Sequence, residues 1–163
     1  MIALITGATA GFGKATAELF AGNGWDVIIC GRRKKRLEDL SKELSKKYKI
    51  KVLTLAFDIR KIKEVKEAVK KISGKWKKID LLVNNAGLAV GLTSIQEGSI
   101  DDWEIMIDTN IKGLLYMTRM ISPIMIKNGS GHIINIGSVA GKEVYPNGNI
   151  YCATKHAVDA LNK

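Results

Sequence analysis

Tyr151 and Lys155 stand four residues apart in the run Tyr151-Cys152-Ala153-Thr154-Lys155. On a helix that spacing puts both side chains on one face, with their Cβ atoms about 5–6 Å apart. A phenol titrates near pH ~10, too high for a good base at neutrality, and a neighbouring ammonium favours the phenolate. The pair is therefore a candidate proton donor and acceptor for a carbonyl or alcohol oxygen. Upstream, Ser138 carries a hydroxyl able to donate to a developing oxyanion. Taken alone, a Tyr-x-x-x-Lys pair is common on helix surfaces and Ser138 is an ordinary loop serine; the rest of the chain changes their weight.

At the other end of the sequence, a short aliphatic run leads directly into Thr6-Gly7-Ala8-Thr9-Ala10-Gly11-Phe12-Gly13 and then into a helical pattern. Glycines at a strand-to-helix turn permit positive φ and close approach of backbone to a ligand, while the helix N-terminus offers free N–H groups to a pyrophosphate. A tight turn without a ligand is the plainer reading, but ligands sit at the carboxyl ends of strands in doubly wound sheets. The next predicted strand ends in Cys30-Gly31-Arg32-Arg33. A site for NAD carries an acid there, about 20 residues past the glycines, to bind the ribose 2′-hydroxyl. No acid is present, since Asp26 opens the strand at its far end. Arg32 and Arg33 are placed to clasp a 2′-phosphate, which predicts NADP over NAD; the bland alternative is that they open a solvated basic helix.

The elements that must position these residues alternate regularly. Apolar runs predict strands over Ile2–Thr6, Asp26–Cys30, Lys51–Phe57, Asp80–Val83 and His132–Ile136, with amphipathic helices over Gly13–Asn23, Lys34–Lys47, Ile62–Ser73 and Asp101–Lys127. Such alternation predicts βαβ units, an α/β fold and a parallel sheet with helices on both faces. Ser99 with Asp102 has capping-box spacing, and Pro123 is expected to bend or end the long helix. Asn110 and Gly113, poor helix formers, cost about 1–2 kcal/mol together against alanine, which calls for a packing or functional reason.

The 163 residues, 46% hydrophobic and 26% charged with two prolines, suit one globular domain over 1–163. No apolar run nears the ~20 residues that span a bilayer and no secretory signal opens the chain, so a cytoplasmic protein without membrane contact is expected. Cys30 and Cys152 read as reduced thiols, with no disulfide and no metal site. The net charge of +10 raises nucleic acid as a partner. The lysines between Lys61 and Lys78, however, alternate with Ile62, Val65, Ala68, Val69 and Ile72 at helical spacing. They form solvated helix faces, and no nucleic-acid role is expected.

The glycine spacing TGxxxGxG, Asp58 after the third predicted strand, Asn84-Asn85-Ala86-Gly87 after the fourth, Asn110 in the long helix, Ser138 after the fifth, and Tyr151 with Lys155 occur in one order. Together they resemble the short-chain dehydrogenase/reductase family over essentially the whole chain. The resemblance implies a Rossmann domain and an NAD(P)-dependent oxidoreductase acting on CH–OH groups of a small molecule. It implies a cofactor site made by Gly7, Thr9, Ala10, Gly11, Phe12 and Gly13, by Asp58 at the adenine with Ile59 beside it, and by the Asn85-Ala86-Gly87 backbone at the nicotinamide ribose. Lys155 would hold ribose hydroxyls, Ser138 and Tyr151 would meet the substrate, and Asn110 would complete a proton relay from Lys155 through water; Asn84 would steady the central strand. His156 and His132 are not expected to do chemistry.

The runs TGATAGFG, GRRKKRL, NNAGLAVG, DTNIKGLLYMTR and GHIINIGSVAGKEVYPNGNIYCATK look like the branch that oxidises short 3-hydroxy acids with NADP, including serine and allo-threonine. A 3-oxoacyl or other carbonyl reductase of the same family is the alternative, and a truncated, non-catalytic nucleotide-binding protein is the alternative of another class. A family member would continue past Lys163 with two further strands and a substrate loop. Those C-terminal strands and that loop are expected to be missing from this chain, which reads as a fragment of a longer polypeptide or a truncated homologue. The longer protein is expected to be a homodimer or homotetramer.

Overall fold

A computed structural model describes all 163 residues. Five short strands, β1 (Ile2–Ile5), β2 (Asp26–Gly31), β3 (Val52–Ala56), β4 (Leu81–Asn84) and β5 (His132–Asn135), pair in parallel in the order β3-β2-β1-β4-β5. Their side chains alternate between two apolar layers, as the pleat requires. On one face Leu4, Ile28 and Leu82 pack with Val65 and Ala68 of α3 (Ile62–Lys70) and Met117, Ile121 and Met125 of the helix completed below. On the other, Ala3, Ile5, Val27 and Ile29 meet Ala17 and Ala21 of α1 (Gly11–Gly22) and Leu37, Leu40 and Leu44 of α2 (Lys34–Tyr48). This is the doubly wound arrangement the alternation predicts.

The amino edge of the sheet is pinned by carboxylates. Asp80 Oδ2 accepts from the Ile2 N–H at 2.6 Å and Asp26 Oδ1 from the Lys51 N–H at 2.7 Å. Asp26 thus works at the edge opposite the glycines, as its position in the strand requires. At the carboxyl edge the strand order reverses between β1 and β4, the place where open α/β sheets leave a crevice.

The long predicted helix is three segments: α4 (Ile100–Ile107), a π-helical stretch over Asp108–Gly113, and α5 (Leu114–Asn128). Ser99 caps α4, its hydroxyl accepting from the Asp102 N–H at 3.4 Å. Pro123 neither ends nor shortens α5. The proline is exposed, the residue four before it is the exposed Arg119, and Ile121 and Met125 on either side are buried in the core. Packing there outweighs one absent helix bond.

The predicted helix Ile62–Ser73 stops at Lys70, the Ile72 N–H turning onto Val69 O to seat Ile72 in the core. The last helix, α6, runs Asn149–Leu161. No helix is long and apolar enough to cross a membrane. β5 is an edge strand, with Ile134 exposed, and Cys30 and Cys152 are free, buried thiols.

Candidate functional site

A cleft of about 680 Å³ opens at the carboxyl edge of the sheet, within the usual size for a small-molecule or cofactor site. β1 delivers Gly7, whose φ of 67° is open to glycine at little cost. A Cβ there would stand 3.0 Å from Ala86 Cα, so the loop after β1 and the loop after β4 touch through backbone. Gly13 lies beneath the loop, where any side chain would collide with the Gly7 carbonyl oxygen. No side chain caps α1 and no acid occupies its first turn, so free N–H groups remain at the lip of the cleft.

Thr6 joins the two loops. Its hydroxyl, buried at the end of β1, donates to Val83 O at 3.3 Å and accepts from the Asn85 and Ala86 N–H groups at 3.0 Å each. Asn85 returns the tie by donating from Nδ2 to Thr6 O at 2.8 Å. Asn84 holds the neighbouring strand, its Nδ2 donating to Thr118 Oγ1 at 2.9 Å and Asn135 Oδ1 at 2.8 Å.

At the β2 end, Arg33 donates from Nε and Nη2 to Thr9 Oγ1 at 3.1 and 2.5 Å. An arginine between β2 and α2 is thereby fixed to the glycine loop that follows β1. Arg32 and Arg33 are both exposed, and both line the cleft. Asp58, by contrast, is occupied. Arg60 Nε and Nη2 donate to its two oxygens at 3.0 and 2.5 Å, and this guanidinium holds the carboxyl below its ordinary value despite partial burial.

Ser138, Tyr151 and Lys155 line the opposite end of the same cleft. Ser138 Oγ accepts from the Ala140 N–H at 3.1 Å, which leaves its own proton free to donate. Lys155 is 8% exposed and donates from Nζ to Ile136 O at 2.8 Å. Nζ lies 5.9 Å from the centroid of the Tyr151 ring. No carboxylate partners this ammonium, and burial pushes its pKa down from the ordinary lysine value.

Of the residues singled out by sequence, Gly7, Thr9, Ala10, Gly11, Phe12, Arg32, Arg33, Asp58, Ile59, Asn85, Ala86, Gly87, Ser138, Tyr151 and Lys155 converge on the cleft. Gly13 and Asn110 stand behind its wall. Asn110 is 2% exposed and fully engaged as a donor: Nδ2 donates to Leu88 O at 2.9 Å and Thr154 Oγ1 at 3.0 Å, while Oδ1 accepts from the Leu88 N–H at 2.9 Å. Both amide protons are spent, so a relay through this side chain is left with a lone pair of Oδ1 alone.

Gly87 packs closely over that amide, a Cβ there being 3.2 Å from Asn110 Oδ1 and 3.8 Å from Lys155 Nζ, so a side chain would push the amide aside by a few tenths of an ångström. Gly113 is explained in the same way, since the π turn lays it directly on Ile59. Sequence reasoning missed Thr109 and Arg60 on the cleft wall and the hydroxyls of Thr6 and Thr154 behind it. Only Thr6 and Thr154 carried a signal, as buried-type hydroxyls inside motifs already noted.

Against known proteins, the model of the short chain dehydrogenases matches residues 1–163. The chain is 51% identical over 155 residues to an NADP-dependent 3-hydroxy acid dehydrogenase of Salmonella typhi, covering 95% of this chain and 61% of that protein. It superposes on serine dehydrogenase from Escherichia coli with a TM-score of 0.93 at 46% identity, over 99% of this chain and 73% of that one. A closed form of serine dehydrogenase complexed with NADP+ gives 0.91 at 46% identity, over 99% and 63%. The chain spans 61% of the length of the curated relative.

Proposed function

Since the chain belongs to the short chain dehydrogenase family, we propose that the protein transfers a hydride between NADP(H) and the carbinol carbon of a short 3-hydroxy acid. The observation that carries this reading is the convergence of Ser138, Tyr151 and Lys155 with the glycine loop and the Arg32–Arg33 pair on one cleft. The relatives named for 3-hydroxy acid and serine oxidation support the substrate class.

The residues present fit a phosphorylated dinucleotide. Gly7 and Gly11 adopt φ of 67° and 52° and carry no side chain, so a ligand can approach the backbone of the loop after β1 closely at those two positions, and the uncapped start of α1 adds free donors for a pyrophosphate. Arg32 and Arg33 supply positive charge where a 2′-phosphate is read, and Thr9 holds the Arg33 guanidinium in place. Gly87 and its neighbours Asn85 and Ala86 leave backbone beside Lys155 for a ribose. When bound, the nicotinamide supplies or accepts the hydride.

The chain's own side chains handle the proton. The Ser138 hydroxyl, with Oγ already accepting from Ala140, donates its free proton to the substrate oxygen and orients it. Tyr151 Oη gives the proton to a ketone oxygen in reduction and takes it from the alcohol in oxidation. Lys155 places a positive charge on the same face of α6, close to the Tyr151 ring. Asn110 holds Leu88 and Thr154 together, and so sets the distance between the Gly87 loop and the helix that carries Tyr151 and Lys155.

The proposal extends to a homodimer or homotetramer working in the cytoplasm. Exposed Leu115 and Ile126 on α5 and two free thiols support that extension.

The test is turnover of a panel of 3-hydroxy acids with NADP+, against 3-oxoacyl thioesters with NADPH, by the full-length protein and its Tyr151→Phe variant. Losing the acid/base group is expected to lower kcat about 10²- to 10⁴-fold. Full activity in the variant refutes the assignment of Tyr151, and preference for the thioesters moves the protein to the carbonyl-reductase alternative.

A further inference from the structure

Ser138 sits on a segment that Lys155 grips at both ends. At one end Lys155 Nζ donates to Ile136 O at 2.8 Å. At the other, Gly141 lies flush on the backbone of Lys155, where a Cβ would stand 2.7 Å from the Lys155 carbonyl oxygen and 3.0 Å from its carbon. Between these contacts the chain turns tightly. The Gly141 N–H donates to Ser138 O at 2.9 Å and the Lys142 N–H to Val139 O at 2.8 Å, while the Ala140 N–H meets Ser138 Oγ.

Gly141 is buried and its φ is not left-handed, so no conformational freedom is being used there. What the position requires is the absence of a side chain, and the atoms in the way belong to α6 backbone, which cannot rotate aside as a side-chain end would.

We propose that Gly141 is a positioning residue: by letting the turn over Val139–Gly141 rest directly on α6 at Lys155, it sets the placement of the Ser138 hydroxyl relative to Tyr151. The inference rests on the functional reading of Ser138, Tyr151 and Lys155 given above. A methyl group at 141 must lift this turn from the helix by several tenths of an ångström or more, and it carries Ser138 along. The glycine loop, Arg32 and Arg33 belong to other elements, so dinucleotide affinity is not expected to follow.

The experiment compares wild type and Gly141→Ala in the full-length protein, reading kcat and KM for the hydroxy acid together with the Kd for NADPH from its fluorescence. A misplaced donor is expected to lower kcat about a hundredfold while the Kd stays within about twofold. A kcat within about threefold of wild type overturns the proposal, and so does a fall in kcat matched by an equal loss of NADPH affinity, which marks a general structural lesion.

Should the variant fail to fold, hydrogen exchange on the unaltered protein decides. The Gly141 and Lys142 amides are expected to open with the same free energy as the α6 amides, and exchange about a hundredfold faster than α6 overturns the bracing. Wild type that binds NADPH yet turns over none of the substrates refutes the functional reading, while the exchange result still judges the contact at Gly141.

Discussion

Replacing Thr154 by valine tests the clamp behind the site with almost no change in shape. Thr154 is 1% exposed; its hydroxyl accepts from Asn110 Nδ2 at 3.0 Å and donates to Tyr151 O at 2.8 Å. Valine fills the same volume and removes the acceptor. One proton of the Asn110 amide is then left without a partner in a position only 2% exposed, a loss of about 1–3 kcal/mol. The Tyr151 carbonyl keeps its place in the helix ladder, so its share of the cost is small.

For a chain of this size each kcal/mol moves the melting point by roughly 2–4 °C, and a fall of about 4–8 °C is expected for a loss near ~2 kcal/mol. Urea unfolding at fixed protein concentration measures the loss directly, and a double-mutant cycle with Asn110→Leu isolates the pair. A coupling of about 1–2 kcal/mol is expected. A destabilisation below about 0.5 kcal/mol with no coupling refutes the reasoning, for the amide would then have another acceptor and the π turn would not depend on α6.

Arg33→Ala is expected to weaken NADPH binding about ten- to a hundredfold and NADH by about threefold or less, measured by titration of each dinucleotide; equal losses for both remove the 2′-phosphate reading. Thr9→Val, which frees the same guanidinium, is expected to give a smaller loss in the same direction. Burial holds the folded pKa of Lys155 below its unfolded value of about 10.5. Between those two values the unfolded chain binds more protons, so stability contributed at this site rises with pH through that window. Subtracting the pH–stability curve of Lys155→Met from that of wild type should show the rise, and a flat difference contradicts it. Asp58, held low by Arg60, gives a slope of the same sign at the acid end: its contribution is complete above about pH 3.8 and falls away as pH drops through the folded value. Acid unfolding of Asp58→Asn should lack that loss.

The parallel fold was legible because strand and helix alternate at a spacing few architectures share, and because each strand is nearly continuous in apolar residues. The residues that line the cleft were legible for a related reason: they sit at strand ends and on one helix face, where order along the chain translates into a shared edge. Boundaries were less so. The stop at Lys70 follows from seating Ile72 in the core, and the passage of α5 through Pro123 from the anchoring of Ile121 and Met125. Neither is a local property. Asn110 and Gly113 announced a cost to a straight helix, but not its form, because the π turn depends on Leu88, Thr154 and Ile59, all distant in sequence.

By itself the sequence determined the glycine loop, the absence of an acid after β2, the face shared by Tyr151 and Lys155, and the layers of the sheet, because each depends on residue type and on periodicity over a few turns. Tertiary structure alone decided which groups are still free to act. It committed both protons of the Asn110 amide, tied Arg33 to Thr9, and drew Lys155 Nζ onto Ile136 O. A hydrogen bond has a geometry of a few tenths of an ångström, and its partner is chosen by what the fold brings within that distance.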